Sequence, residues 1–143
     1  MYQGGFLISR LNKVGGRIFE KILSEQNIGA FNGAQGRILY VLWQKDGIPI
    51  REISYKTGLA VTSLTSMLDR MEAAELLRRT DAPGDRRKIL IELTDKAKAL
   101  RPEYDAVSEK MGEILYKGFS ADEIAEAERY LSIMMLNLEE WEK

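Results

Sequence analysis

The residues with the clearest chemistry lie in the stretch DAPGDRRKILIELT, residues 81–94. Asp85 closes an Asp-Ala-Pro-Gly-Asp turn, and three cations, Arg86, Arg87 and Lys88, follow it directly. Guanidinium and ammonium groups bind phosphate oxygens, and an arginine also fits a narrow minor groove of DNA, where the negative potential is enhanced. These residue types therefore favour the binding of a polyanion at this turn.

The same stretch predicts a β-hairpin with the cations at its tip. Pro83-Gly84 is typical of a turn, and the following run over 88–93 alternates in polarity as a half-buried strand does. A two-stranded hairpin is marginally stable alone, so it must pack on the neighbouring helices, which fixes its tip. The alternative is a solvated hairpin whose charges only keep the protein in solution.

A second polar set lies on the helix predicted just before this hairpin. Apolar residues recur along it at steps of three and four, at Leu64, Met67, Leu68 and Met71. The opposite face carries short hydroxyls and one arginine, at Thr62, Ser63, Thr65, Ser66 and Arg70. Such side chains can enter a major groove and meet phosphates and base edges. The alternative is a helix face that is merely solvated.

The elements that must position this face form a helix-turn-helix. Pro49 suits a helix start, Ile50 and Ile53 mark one short helix, and Gly58 ends it before the polar-faced helix begins. Two short helices joined by a tight turn are too common to identify a function. Together with the cationic hairpin, however, they favour one helix in a major groove and the hairpin in the adjacent minor groove.

Composition excludes several classes of chemistry. The 143 residues suffice for one domain with a core, and they include no cysteine and no histidine. Disulfides, thiol chemistry, soft metal sites and the commonest acid–base devices are therefore missing, and the paired Glu139 and Glu140 favour a solvated helix face. We expect no enzyme, no cofactor and no metal, and a reducing, cytoplasmic location. The longest apolar run, residues 38–43, is too short to cross a membrane, and no secretory signal is predicted.

Charge is distributed unevenly along the chain. Residues 1–101 carry a net charge of +6 and residues 102–143 one of −7, against −1 for the whole chain. A local basic region matters more to a phosphate backbone than the total charge does. The acidic end therefore does not argue against a nucleic-acid partner.

Further amphipathic helices flank this region. Residues 5–25 predict one helix, and Asn32 with Gln35 predicts a capping box at the start of another. A long helix is predicted over about 94–117, bent at Pro102, which lacks a backbone N–H.

The last predicted helix starts at a capping box of Ser120 and Glu123 and carries an apolar stripe from Ile124 to Trp141. Both terminal helices thus have wide apolar faces. A second copy of the chain could cover them in an isologous interface. The alternative is that they pack only on their own domain.

The run over residues 35–100 resembles the MarR family of winged-helix transcription regulators. The resemblance lies in GLAVTSLTSMLDRMEAAELLRR, in D-x-P-x-D-R-R at residues 81–87, in I-x-L-T at residues 91–94 and in the following DKAKAL. The hairpin motif with its trailing Leu-Thr is the specific part.

The resemblance implies a mainly α fold with a small β-wing. A winged helix-turn-helix lobe over about 34–99 is expected, flanked by dimerisation helices at about 5–25 and 100–141, in a single domain 1–143. It also implies a homodimeric, sequence-specific DNA-binding regulator, usually a repressor, on an inverted-repeat operator. Because the fold does not determine function, a protein–protein adaptor without DNA binding is the alternative.

The resemblance also carries implications for single residues. Arg87 is expected to enter the minor groove, with Asp85 as its orienting partner. A small organic effector is expected between the dimerisation helices and the DNA-binding lobe, with Arg10, Arg17 and Tyr40 as polar liners.

Two positions depart from the family pattern. Ala60 stands where the recognition helix often has a Ser or Asp cap, and Glu75 stands where a glycine often follows that helix. Both predict small losses of stability. The absent cap leaves Val61 and Thr62 as alternative first residues of the helix.

Overall fold

The computed structural model describes all 143 residues, Met1–Lys143, as helices and one two-stranded antiparallel sheet. The elements are α1 (Gly4–Glu25), α2 (Gly33–Gln44), α3 (Ile50–Thr57), α4 (Val61–Ala73), β1 (Leu77–Ala82), β2 (Asp85–Leu93), α5 (Asp95–Lys98), α6 (Arg101–Leu115) and α7 (Ala121–Glu142). The predicted mainly α fold with a small β-wing is confirmed. The chain divides into two compact units, Met1–Ser108 and Glu109–Lys143.

The core of the first unit lies among α2, α3, α4, the first half of α6 and the base of the hairpin, which we call the wing (β1 and β2). Its fully buried side chains are Ile38, Leu39, Leu42, Ile48, Ile53, Leu64, Leu68, Met71, Leu76, Leu77, Ile91 and Val107. Burial of each large aliphatic side chain contributes roughly 1.5–3 kcal/mol. The wing therefore shares one hydrophobic core with the helix-turn-helix.

The predicted capping box at the start of α2 is confirmed. The Gln35 N–H donates to Asn32 Oδ1 at 2.8 Å, and the Asn32 N–H donates to Gln35 Oε1 at 3.0 Å. The Gly33 N–H donates to the Glu20 carboxylate, so α1 also contributes to this cap. These bonds satisfy N–H groups that the helix itself leaves unpaired.

The helix-turn-helix is bounded as the sequence predicts. α3 ends at Gly58, whose φ of +75° is readily adopted only by glycine. α4 begins at Val61, and its N-cap residue, Ala60, makes no side-chain cap. Glu75 follows α4 with a φ of +62°, the left-handed conformation that glycine adopts most readily.

Side chains from the segment after the wing cap the end of α4. The Thr94 hydroxyl donates to the Glu75 carbonyl at 2.7 Å, and Lys96 Nζ donates to the Ala74 carbonyl at 3.0 Å. A cation at the negative end of the helix dipole is stabilising. The position of α4 is thus fixed at its C-terminus as well as along its apolar face.

An aromatic cluster around Tyr104 packs α1, α2 and α6 together. Tyr104 contacts four rings, with centroid distances of 5.2–6.1 Å, at Phe19, Phe31, Tyr40 and Trp43. A Cβ on Gly36 would lie 3.2 Å from both Phe31 and Tyr104, so glycine permits this approach. Burial raises the pKa of Tyr104, with a smaller contribution from Tyr40. The stability linked to the neutral phenol is therefore present below the unfolded pKa and lost as the pH rises through the raised one.

The prediction of one long helix over 94–117 is wrong. The chain forms α5, then a break at Ala99 and Leu100, and then α6 from Arg101. Pro102 cannot donate to the carbonyl of Lys98, and proline is tolerated in the first turn of a helix, where its missing N–H has no partner to lose. The helix therefore restarts at this point instead of bending.

The second unit consists of the end of α6, a turn and α7. The capping box at Ser120 and Glu123 is confirmed, and Tyr116 donates to Glu128 at 2.9 Å. No residue of α7 is buried. Its exposed large apolar side chains are Tyr130, Leu131, Ile133, Met134, Met135, Leu136, Leu138 and Trp141.

No helix of the protein has both the length and the apolar character needed to span a lipid bilayer.

Replacement of Glu75 by glycine is expected to stabilise the protein. The left-handed conformation costs a side-chain-bearing residue roughly 1–2 kcal/mol, and glycine loses roughly 0.5–1 kcal/mol of this gain through its freer unfolded state. We expect Glu75→Gly to raise the free energy of unfolding by about 0.5–1 kcal/mol in urea titrations. The control Ala74→Gly, at an ordinary φ of −82°, should lower it. Equal losses in both variants would contradict the assigned strain.

Candidate nucleic-acid interface

The polar face of α4 is exposed to solvent. Its five predicted residues are all exposed: Thr62, Ser63, Thr65, Ser66 and Arg70. On the opposite face Leu64, Leu68 and Met71 are completely buried. The helix is thus held along one side, and the other side can meet a partner.

Two of the side chains on this face donate hydrogen bonds within α4, and others have no hydrogen-bond partner in the chain. The Thr65 hydroxyl donates to the Val61 carbonyl at 3.0 Å, and Arg70 Nη2 donates to Ser66 Oγ at 3.2 Å. The side chains of Thr62 and Ser63 make no hydrogen bond within the chain, so their hydroxyls are available. Val61 is 44% exposed beside them. The sequence indicates Val61 only as a possible first residue of the helix, and no sequence signal marks it as part of this surface.

The N-terminus of α4 adds backbone donors to this surface. Because Ala60 provides no side-chain cap, no side chain accepts from the first N–H groups of the helix. Such groups lie at the positive end of the helix dipole and are suited to bind phosphate oxygens.

The wing tip carries its predicted charged residues into solvent. Asp85, Arg86, Arg87 and Lys88 are all exposed, and no carboxylate pairs with any of the three cations. The Arg87 backbone N–H donates to Asp85 Oδ1 at 3.0 Å. Asp85 thus orders the backbone of the turn, and it makes no hydrogen bond with the Arg87 guanidinium.

The predicted half-buried alternation of β2 holds only near the base of the wing. Ile91 and Leu93 are buried, but Ile89 is 50% exposed. The outer half of the hairpin extends past the core, so neither of its faces is covered. This exposure leaves the tip free to enter a groove.

The base of the wing is fixed on the side of α2. Asp46 Oδ1 accepts from the Leu93 N–H at 2.9 Å and from the Gly47 N–H at 3.0 Å. A short antiparallel bridge pairs Ile48 with Ile91: the Ile91 N–H donates to the Ile48 carbonyl at 2.9 Å, and the Gly47 N–H donates to the Ile91 carbonyl at 3.0 Å. No local sequence pattern predicts this contact of Asp46.

The base is also fixed on the side of α4. Arg79 Nη2 lies 2.8 Å from Asp69 Oδ1, and Arg79 Nη1 lies 2.7 Å from Glu72 Oε1. Its neighbour Arg78 pairs only at 3.8 Å, with Glu92. The contact of Arg79 with α4 was not predicted from the sequence. The alternation of side chains along a strand could have indicated that Arg78 and Arg79 point to opposite faces.

The predicted effector residues do not form one site by contacts of their own. Arg10 and Arg17 are exposed on α1 without an ion pair, and Tyr40 stacks on Tyr104 at 5.8 Å. A cavity of about 440 Å³ is lined by other residues: Gln26, Asn27, Ile28, Pro102, Glu103 and Ala106. No group of acidic side chains is arranged to hold a metal ion.

Sequence comparisons match this chain to transcriptional regulators, which agrees with the exposed polar face of α4 and the cationic wing tip. A model described as the MarR family matches residues 31–89. The HTH-type transcriptional regulator MgrA of Staphylococcus aureus is 30% identical over 94 residues, which are 66% of this chain and 63% of the relative. The HTH-type transcriptional regulator TtmR of Methylorubrum extorquens is 31% identical over 97 residues, which are 68% and 48% of the two chains. The chain thus matches less than two thirds of the length of these curated relatives.

Solved structures match nearly the whole chain. A MarR transcriptional regulator from Methanosarcina mazei Go1 superposes with a TM-score of 0.82 at 26% identity, over 93% of this chain and 94% of the other. A mutant MarR from E. coli, complexed with operator DNA, superposes with a TM-score of 0.78 at 27% identity, over 91% of each chain.

Proposed function

This chain belongs to the MarR family of transcriptional regulators, and on that premise we propose that it is a homodimeric, sequence-specific DNA-binding repressor. Members of this family regulate transcription and are not enzymes. One observation carries the proposal: three unpaired cations, Arg86, Arg87 and Lys88, and the free polar face of α4 belong to elements held on one core. The proposal places the protein in the cytoplasm.

In this proposal α4 reads the major groove. The Thr62 and Ser63 hydroxyls are free to bond with base edges or phosphates, whereas Val61 and the Thr65 methyl group are suited to the apolar methyl of thymine. Arg70 is exposed near the C-terminal end of α4 and adds a cation for the phosphate backbone. The uncapped start of α4 offers its N–H groups to a further phosphate.

The wing reads the adjacent minor groove. The Arg87 guanidinium has no carboxylate partner to lose on binding, and the negative potential of a narrow A·T-rich groove attracts it. Arg86 and Lys88 flank it and are placed to meet the sugar–phosphate walls of the groove. The fixed base of the wing means that little ordering is needed at the moment of binding.

A second copy of the chain supplies a second α4 and a second wing for binding DNA. α1 and α7 each carry exposed apolar side chains, including Phe6 and Leu11 on α1 and Leu131 and Leu138 on α7. We assign both helices to the dimer interface, because a soluble monomer rarely leaves such extended apolar surface open. Two readers related by a twofold axis match an inverted repeat whose half-sites lie about one helical turn apart.

A small organic effector is proposed to release the DNA. Arg10 and Arg17 are unpaired cations on α1 that could each pair with a carboxylate, and Tyr40 presents a half-exposed phenol that could contact an aromatic ring, so an aromatic acid is the proposed class of ligand. The ligand would favour a spacing of the two α4 helices that does not fit successive major grooves. Its effect on DNA affinity cannot exceed its differential affinity for the two spacings.

Removal of the wing arginine is expected to weaken operator binding without unfolding the protein. We expect Arg87→Ala to cost roughly 1–3 kcal/mol on an A·T-flanked operator selected from random DNA, at matched salt. Arg101→Ala, which removes an exposed cation at the start of α6, is the control and should bind normally. Equal affinity of Arg87→Ala and the parent would contradict the wing assignment. Absence of any salt-dependent DNA binding would favour a protein–protein adaptor.

A charge on the apolar stripe of α7 is expected to disrupt the dimer. Leu138→Glu places a carboxylate where the partner's apolar surface should lie, and Ser132→Glu adds the same charge off the apolar stripe as a control. Sedimentation should show monomer or aggregate for Leu138→Glu and dimer for Ser132→Glu, with operator affinity lost only in the former. A dimeric Leu138→Glu with normal affinity would show that α7 does not form the interface.

The chemistry of the inducer is expected to be organic. With no cysteine or histidine in the chain, neither a disulfide nor an imidazole or thiolate metal site can form. In gel-shift titrations, low-millimolar aromatic acids should release the operator, whereas micromolar zinc or peroxide should not. Arg17→Gln should require more ligand and leave operator affinity unchanged. Release by zinc or peroxide alone, reversed by chelator or reductant, would mean that the sensing chemistry is different.

A further inference from the structure

Arg79 differs from the other basic residues of the wing in its surroundings. Its side chain is 26% exposed, against 62% for Arg78 in the same strand. Two carboxylates of α4 bind it, Asp69 at 2.8 Å and Glu72 at 2.7 Å. The three cations at the wing tip have no such partners.

The contacts of Arg79 join the wing to the recognition helix at two levels. Asp69 and Glu72 lie three residues apart on α4, so they are neighbours on its surface, and the two guanidinium nitrogens bind one carboxylate each. The Arg79 backbone N–H also donates to Glu72 Oε2 at 3.2 Å. Side chain and backbone of β1 are therefore both fixed to α4.

Because the contact of Arg79 with α4 lies near the base of the wing, it controls the position of the wing tip. Arg79 pairs with Ile91 near the base of the wing, and the hairpin continues through three further pairs to the turn. Three residues of strand span about 10 Å, so a rotation of about 15° at the base moves the tip by roughly 3 Å. Such a shift is enough to remove a guanidinium from hydrogen-bonding distance of a base edge.

We propose that Arg79 is a positioning residue for DNA recognition. It does not contact DNA; it holds the wing at the angle to α4 at which Arg87 and the polar face of α4 reach adjacent grooves together. This inference rests on the proposed DNA binding, and it names the residue that couples the position of the wing to that of α4.

The charges of the cluster oppose a direct role of Arg79 in binding phosphate. One cation sits between two carboxylates, so the cluster of Arg79, Asp69 and Glu72 carries a formal charge of −1 next to the proposed DNA surface. Neutralising a carboxylate here should, on charge alone, strengthen binding to any DNA. A loss of operator affinity on such a change would therefore indicate positioning.

The test is a double-mutant cycle with the operator duplex that the parent protein selects from random DNA. Arg79→Lys keeps the charge but cannot span both carboxylates, because an ammonium is a point donor. We expect Arg79→Lys to lower operator affinity about tenfold and to leave Arg87→Ala little further effect in the double variant. Arg78→Lys is the matched control, and it should bind within about twofold of the parent and keep the full effect of Arg87→Ala.

Glu72→Gln provides a second variant that leaves both arginines in place. It should weaken binding to the operator duplex and strengthen binding to a random-sequence duplex of equal length, while thermal unfolding shows a folded chain. Additive effects of Arg79→Lys and Arg87→Ala, or tighter operator binding by Glu72→Gln, would overturn the positioning role while the proposed function stands. If the parent shows no preference for its selected duplex, or Arg87→Ala has no effect in the parent, the proposed function fails and the positioning role falls with it.

Discussion

The wing can exist only because its base is part of the helical core. A two-stranded hairpin does not hold its own conformation in water, and its inner residues here, Leu77, Ile91 and Leu93, are buried against the helices. Asp46 and the bridge at Ile48 fix the other edge of the same base. The geometry of the proposed reader follows from this burial, because the tip has no contacts of its own that could place it.

The distribution of charge pairs follows the same division. At the base, arginines meet carboxylates and their charges are neutralised locally, as for Arg79 with Asp69 and Glu72. At the tip, none of the three cations forms an ion pair with a carboxylate. A basic run of the sequence thus contains two kinds of residue, those that hold the fold and those that are free for a polyanion, and the net charge of the chain says nothing about which is which.

Much of this arrangement could be predicted from local sequence signals. The capping boxes at Asn32 and Ser120, the glycine turn at Gly58 and the hairpin turn depend on interactions within a few residues, and the structure confirms them. At Pro102 the sequence predicts a bend where the structure has a break, because the missing N–H of a proline is compatible with a bent helix and with a restarted one. Contacts such as Asp46 with Leu93 lie 47 residues apart, and no spacing rule reaches that far. The roles of the predicted DNA-binding and effector residues remain predictions.

The aromatic cluster has a consequence for optical measurements on the protein. The chain has two tryptophans, and they lie in different compact units and in very different surroundings. Trp43 packs edge-on against Tyr104 at 5.2 Å and donates its indole N–H to the Ala97 carbonyl, whereas Trp141 is 90% exposed. Their fluorescence should therefore differ in colour and, in the monomer, also in access to a soluble quencher. A single emission spectrum then carries separate signals, one from the packing between α2 and α6 and one from the surface near the end of α7.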